Sequence, residues 1–241
     1  MSPPSRGARG ASLKRPVETA AQLTDLDAVV LVRGAEDVLA ERAVARVLEL
    51  ARERDAAVEV SELDAAGYVA GRLEIAASPS LFGEQRCVVV TGVEAANDVF
   101  IEDALAYLER PAAEATLVLR HTGGQRGKRL TDAVARSFTV VACEPIKRDA
   151  DKVAFAQEEL RAAGRRADPA ALRALVDAVG SDLQELVAAC RQLVADTTGT
   201  VTEAVVHRYH GGRVEATGFA VADAALSGDG AEAIRLLRHA L

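Results

Sequence analysis

The chain has 241 residues, 49% of them apolar and 27% charged, an ordinary globular composition on a length that allows more than one domain. Aromatic residues are scarce at 3%, with no Trp, so the core must be mostly Ala, Val and Leu. A net charge of −7 argues against a general nucleic-acid coat but leaves room for a local basic face.

The opening stretch MSPPSRGARGASLKRP is rich in Pro, Gly, Ser and Arg and lacks the apolar stretch of a signal peptide. It reads as a disordered leader, placed over residues 1–25. AVVLVRG (28–34) is a β-branched run ending in Gly, the pattern of a buried strand. The segment 35–54 follows as a helix, with Glu36 and Asp37 at its start, where carboxylates suit the positive end of the helix dipole. AVEVSEL (57–63) is a second strand and DAAGYVAGRLEIAA (64–77) a second helix. CVVVTGV (87–93) is a third strand, and 98–110 a helix stopped by Pro111. ATLVLRHT (115–122) and FTVVACE (138–144) are two more strands, with a helix over 127–137 between them. Five strands alternating with helices imply a mostly parallel sheet covered on both faces, ending near Pro145.

From about Asp149 the strand patterns stop. Segments 149–164, 168–180, 181–197 and 201–210 read as four helices, the second with Asp168 at its N-cap and Pro169 at its first position. Each is too short to stand alone, so they must pack as a small bundle. ATGFAVADAALSGDGAEAIRLLRHAL (216–241) reads as a helical hairpin turned at Ser227–Gly230. Its apolar face has no third element to cover it, so the chain is expected to be a fragment of a longer protein.

The strand–Gly34–helix junction is where a phosphate-binding loop would lie. The template G-x-x-x-x-G-K-[ST] counted from Gly34 asks for Gly, Lys and Ser or Thr, and the chain supplies Leu39, Ala40 and Glu41. The third strand is followed by Thr91 and Gly92 rather than by a magnesium-binding acid. A nucleotide scaffold without its nucleotide chemistry is the expectation, with no cofactor and no catalytic residue. His207 and His210 are three apart on a predicted helix, a spacing compatible with metal, but no matching carboxylate or cysteine accompanies them and a surface helix end is the preferred reading. No metal is expected. Cys87, Cys143 and Cys190 show no paired spacing and read as reduced, buried thiols of a cytoplasmic protein. No apolar run approaches the length of a membrane span, and no membrane partner is expected. HTGGQRGKRL (121–130) reads either as an anion-holding nest or as a mobile, solvated loop.

One stretch fits no element. In SPSLFGEQR (78–86), Leu81 and Phe82 lie between Pro79 and Gly83, two large apolar residues in a turn. They either pack back onto their own sheet or are buried in another protein.

Four segments, LVRGAEDVLAERAV (31–44), SLFGEQRCVVV (80–90), GSDLQELVAACRQL (180–193) and FAVADAALSGDGAEAIRLLRHAL (219–241), occur in an order that resembles the delta subunit of the bacterial DNA polymerase III clamp loader. The resemblance covers residues 28 to 241. It implies an α/β, AAA+-like parallel sheet domain over 26–146, a small helical lid domain over 147–212 and the start of a helical collar over 213–241. It implies a subunit that binds and opens the ring-shaped sliding clamp during DNA replication and hydrolyses no ATP itself. The family is part of the polymerase holoenzyme, which leaves open whether the chain counts as an enzyme. Its partners would be the sliding clamp, the other clamp-loader subunits and, indirectly, primed DNA. The matching clamp-binding positions are Ser80, Leu81 and Phe82. The Gln that opens the usual clamp-binding peptide is replaced by Ala77, a departure that costs one polar contact. Arg126, Lys128 and Arg129 are the candidates for a DNA contact. The competing expectation is a nucleotide-driven AAA+-type replication ATPase with an atypical phosphate loop.

Overall fold

A computed structural model describes residues 17–81, 83–210 and 218–240. The chain divides into two compact units, Met1–Pro145 and Ile146–Leu241. In the first, the described strands are β1 (Val17–Glu18), β2 (Val29–Arg33), β3 (Glu59–Asp64), β4 (Arg86–Thr91), β5 (Ala115–His121) and β6 (Thr139–Ala142). They form one parallel sheet in the order β1-β6-β2-β5-β4-β3. Its helices are α1 (Asp37–Arg54), α2 (Arg72–Ala76), α3 (Asp98–Glu109) and α4 (Lys128–Ser137).

The apolar strands are buried on both faces, and the two-residue period sorts their side chains into two cores. Val29 and Leu31 of β2, Val88 and Val90 of β4, and Leu117 and Leu119 of β5 face Leu73 of α2, Phe100 and Ala104 of α3, and Leu130 and Val134 of α4. Val30, Val32, Cys87, Val89, Val118, Val141 and Cys143 face the opposite way, onto Ala40, Ala43, Val47 and Leu50 of α1. Edge strand β3 is different: Glu59, Glu62 and Asp64 are exposed along it, and carboxylates on an open edge discourage pairing with another chain.

Two boundaries differ from expectation. Residues 17–25 belong to the first unit rather than to a leader. Val17 and Glu18 pair with Val140 and Val141, Leu23 is buried against the α1 face, and Arg46 donates to the Leu23 carbonyl at 3.2 Å. Arg54 likewise ties the end of α1 to Asp25 and to the Leu26 carbonyl. The second helix is also far shorter than 64–77. The Asp64 carboxylate accepts hydrogen bonds from the Ala66 and Gly67 amides, and that local turn competes with helix. The Asp103 carboxylate then holds the Gly71 amide at 2.9 Å, so helix begins only at Arg72.

In the second unit, α5 (Asp149–Ala162), α6 (Pro169–Val179), α7 (Leu183–Asp196) and α8 (Glu203–His210) bury their apolar stripes on one another. The stripe of α7 is Leu183, Leu186, Val187, Cys190 and Leu193, and its N-cap Asp182 accepts from the Gln184 and Glu185 amides. Asp168 occupies the N-cap position of α6 with Pro169 behind it, without a side-chain capping bond. Arg165 ties this unit together by donating to the Val194, Thr197 and Gly199 carbonyls. α9 (Gly218–Leu226) and α10 (Gly230–Ala240) pack on each other as a hairpin, leaving Leu226, Ile234 and Leu237 exposed.

Candidate functional site

The β2–α1 junction is closed from within. Gly34 has φ 139°, and a Cβ there would lie 2.1 Å from the Cys143 carbonyl oxygen, so the glycine is required by the close passage of the chain after β6. The Gly34 amide donates to the His121 carbonyl at 3.0 Å and the Glu36 amide to the Cys143 carbonyl at 2.9 Å. These N–H groups therefore point into the sheet, whereas a phosphate loop directs such groups at its anion. The buried Arg120 guanidinium is also engaged, donating to the Gly34 carbonyl at 2.6 Å and to Asp37 at 3.0 Å. Glu94, after β4, accepts from the Thr122 amide at 3.1 Å.

The SPSLFGEQR stretch runs from α2 to β4. Ser78 anchors its start, donating from its amide to the Ile75 carbonyl and from Oγ to the Glu74 carbonyl at 2.7 Å. Gly83, at φ 82°, closes a turn in which its amide donates to the Ser80 carbonyl at 3.4 Å. The Ser80 hydroxyl donates to Glu84 across the same turn. At the far end, the Asp55 carboxylate accepts from the Gln85 amide at 2.7 Å and from the Ala57 amide at 2.9 Å. Those bonds hold the Asp55 carboxyl below its ordinary value of 3.8. Leu81 stands at the crest, 97% exposed. Phe82 lies outside the described residues. Ile75 of α2 and Val69 just before it are also open to solvent, at 72% and 62%.

The basic loop is less open than its sequence. Arg126 donates to the Ala96 carbonyl at 2.7 Å and pairs with Asp98 at 2.8 Å, so its guanidinium serves the start of α3. Lys128 and Arg129 are exposed on the first turn of α4. His207 is exposed and lies 3.5 Å from Glu203, while His210 is buried. Among the described residues, no group of three or more His, Cys, Asp and Glu side chains is placed to hold a metal ion. Cys87, Cys143 and Cys190 are buried free thiols, and burial pushes Cys87 and Cys143 up to about 11. No described helix is long and apolar enough to cross a membrane.

No protein-family model matches the chain, and no curated protein sequence matches it. Solved structures do match. The Bacillus subtilis DNA clamp loader delta protein (YqeN) superposes with a TM-score of 0.62 at 15% identity, over 88% of this chain and 67% of that one. The fold is that of a clamp-loader delta protein. The Thermotoga maritima RuvB Holliday junction branch migration motor also matches, with a TM-score of 0.47 at 12% identity over 74% of this chain and 59% of that one. The fold is α/β, a six-stranded parallel sheet followed, among the described residues, by helices. Asp55 and Glu84 were not singled out by sequence. Asp55 acts on a loop 30 residues away, and no local pattern signals such a bond.

Proposed function

We propose that this chain is a non-catalytic clamp-loader subunit that grips the sliding clamp through Ser80, Leu81 and Phe82 and opens the ring during DNA replication. The observation that carries the reading is Leu81, a large apolar side chain left 97% exposed at the crest of a turn whose two ends are hydrogen-bonded in place. Folding leaves this side chain in water, and burial in a partner's cleft would remove its apolar surface from solvent. The likeness to a clamp loader delta protein supports the same assignment.

Residues 26–146, joined by 17–25, form the clamp-binding domain in this reading. Residues 147–212 form the helical lid, and 213–241 begin the collar that joins the other loader subunits. The hydrogen bonds consumed inside the β2–α1 junction argue against the alternative of a nucleotide-driven ATPase. Of the three candidates for a DNA phosphate, Lys128 and Arg129 are exposed, and Arg126 must first give up Asp98. Primed DNA is then a weak or indirect partner, and the setting of the work is the cytoplasm.

The test is capture of a purified sliding clamp by the immobilised chain, with the wild type and with the Leu81→Ala/Phe82→Ala double variant. Retention by the wild type and loss by the folded double variant is expected. Equal retention by both would rule the reading out.

A further inference from the structure

We propose that Asp55 and Glu84 are positioning residues for the Leu81 turn, setting how tightly the partner is bound without touching it; this rests on the clamp-gripping reading. Leu81 has no core of its own to fix its direction, because it is almost wholly exposed. Its placement must come from the backbone on either side. Upstream, Ser78 is tied to the carbonyls of Glu74 and Ile75. Downstream, the turn is held by the Ser80–Glu84 bond and by Asp55, which binds Gln85 from the end of α1. The Gln85 carbonyl also receives the Glu59 amide at 2.9 Å, so the tether passes directly into the start of β3.

Between these anchors lies a cleft of about 440 Å³, lined by Ala57, Glu59, Ser80, Leu81, Glu84 and Arg86. Leu81 thus borders open space on the cleft side, and the described hydrogen bonds on either side are what fix the backbone that carries it. A turn that is bound in one conformation but free in many loses affinity in proportion to the fraction competent. Where loss of the Asp55 carboxylate lowers that fraction to about one in ten, apparent affinity falls about tenfold.

The experiment is a calorimetric titration of purified sliding clamp into the full chain, with a melting curve for each variant. Asp55→Ala and Glu84→Ala are expected to bind about tenfold more weakly than wild type. Glu84→Gln, which keeps an acceptor for Ser80, and Asp55→Asn, which keeps one acceptor, are expected to recover most of the loss. In the double variant Asp55→Ala/Leu81→Ala the two losses are expected to add to less than their sum, since a truncated anchor no longer gains from being positioned. Wild-type binding by Asp55→Ala and Glu84→Ala, or losses that add in full to that of Leu81→Ala, would overturn the proposal while leaving the gripping role intact. Wild-type binding by Leu81→Ala itself would overturn both. If Asp55→Ala fails to fold, the Glu84→Ala and Glu84→Gln pair decides alone.

Discussion

Leu81→Ala removes the branched end of a side chain that makes almost no contact with its own fold, being 97% exposed. Stability should therefore change by no more than about 0.5 kcal/mol, the range of surface substitutions away from special features. Binding should respond very differently. Fully burying a Leu side chain is worth about 1.5–3 kcal/mol, and truncating an anchor that fills a partner's pocket typically costs about 2 kcal/mol. That loss corresponds to roughly a thirtyfold rise in Kd. Leu73→Ala is the matched control: the same change at a residue 1% exposed in the core between α2 and the sheet should cost about 2–5 kcal/mol of stability. Thermal denaturation by circular dichroism and calorimetric binding to the sliding clamp, run on both variants, supply the four numbers. A Leu81→Ala protein that melts as low as Leu73→Ala, or that melts like wild type and still binds the clamp fully, would refute the reasoning.

Gly34→Ala should destabilise the first unit by at least about 2 kcal/mol, because the new Cβ would meet the Cys143 carbonyl at 2.1 Å; a wild-type denaturant midpoint would contradict this. Cys87 and Cys143, buried and with thiols raised to about 11, should resist a thiol reagent at pH 8 in the native protein and react once it is unfolded; rapid native labelling at either would contradict their burial. The Asp55 carboxyl lies below its ordinary value of 3.8 when folded, so its contribution to stability is present above 3.8 and is lost as pH falls through the lower folded value. The Gln85 amide resonance, followed by NMR, should then titrate with a midpoint below 3.8, and a midpoint at or above that value would contradict the tether.

The interior strands were legible because their β-branched runs are short, apolar and bounded by Gly or Pro, and burial on both faces demands that composition. The helical half was legible from caps and stripes, as at Asp182 with Leu183, Leu186 and Cys190. Strand β1 was not, because two residues, Val17 and Glu18, carry no periodicity and gain strand geometry only from pairing with β6. The extent of α2 was misread because apolar spacing over 64–77 resembles a helix, while the Asp64 side chain satisfies the Ala66 and Gly67 amides in a turn. The place of Leu81 between Pro79 and Gly83 kept it out of any element but left open whether it packs back onto its own sheet, and the structure leaves it exposed. What holds it there was hidden, because Asp55 and Gln85 are brought together only by the parallel pairing of β3 with β4.

The most direct measurement is of ring opening itself. A sliding clamp carrying a fluorophore pair across one subunit interface is titrated with the purified chain in the absence of nucleotide. The account predicts a saturable loss of energy transfer that ATP does not alter and that the Leu81→Ala/Phe82→Ala variant abolishes. A clamp that stays closed at saturating chain, or that opens only when ATP is added, would contradict it.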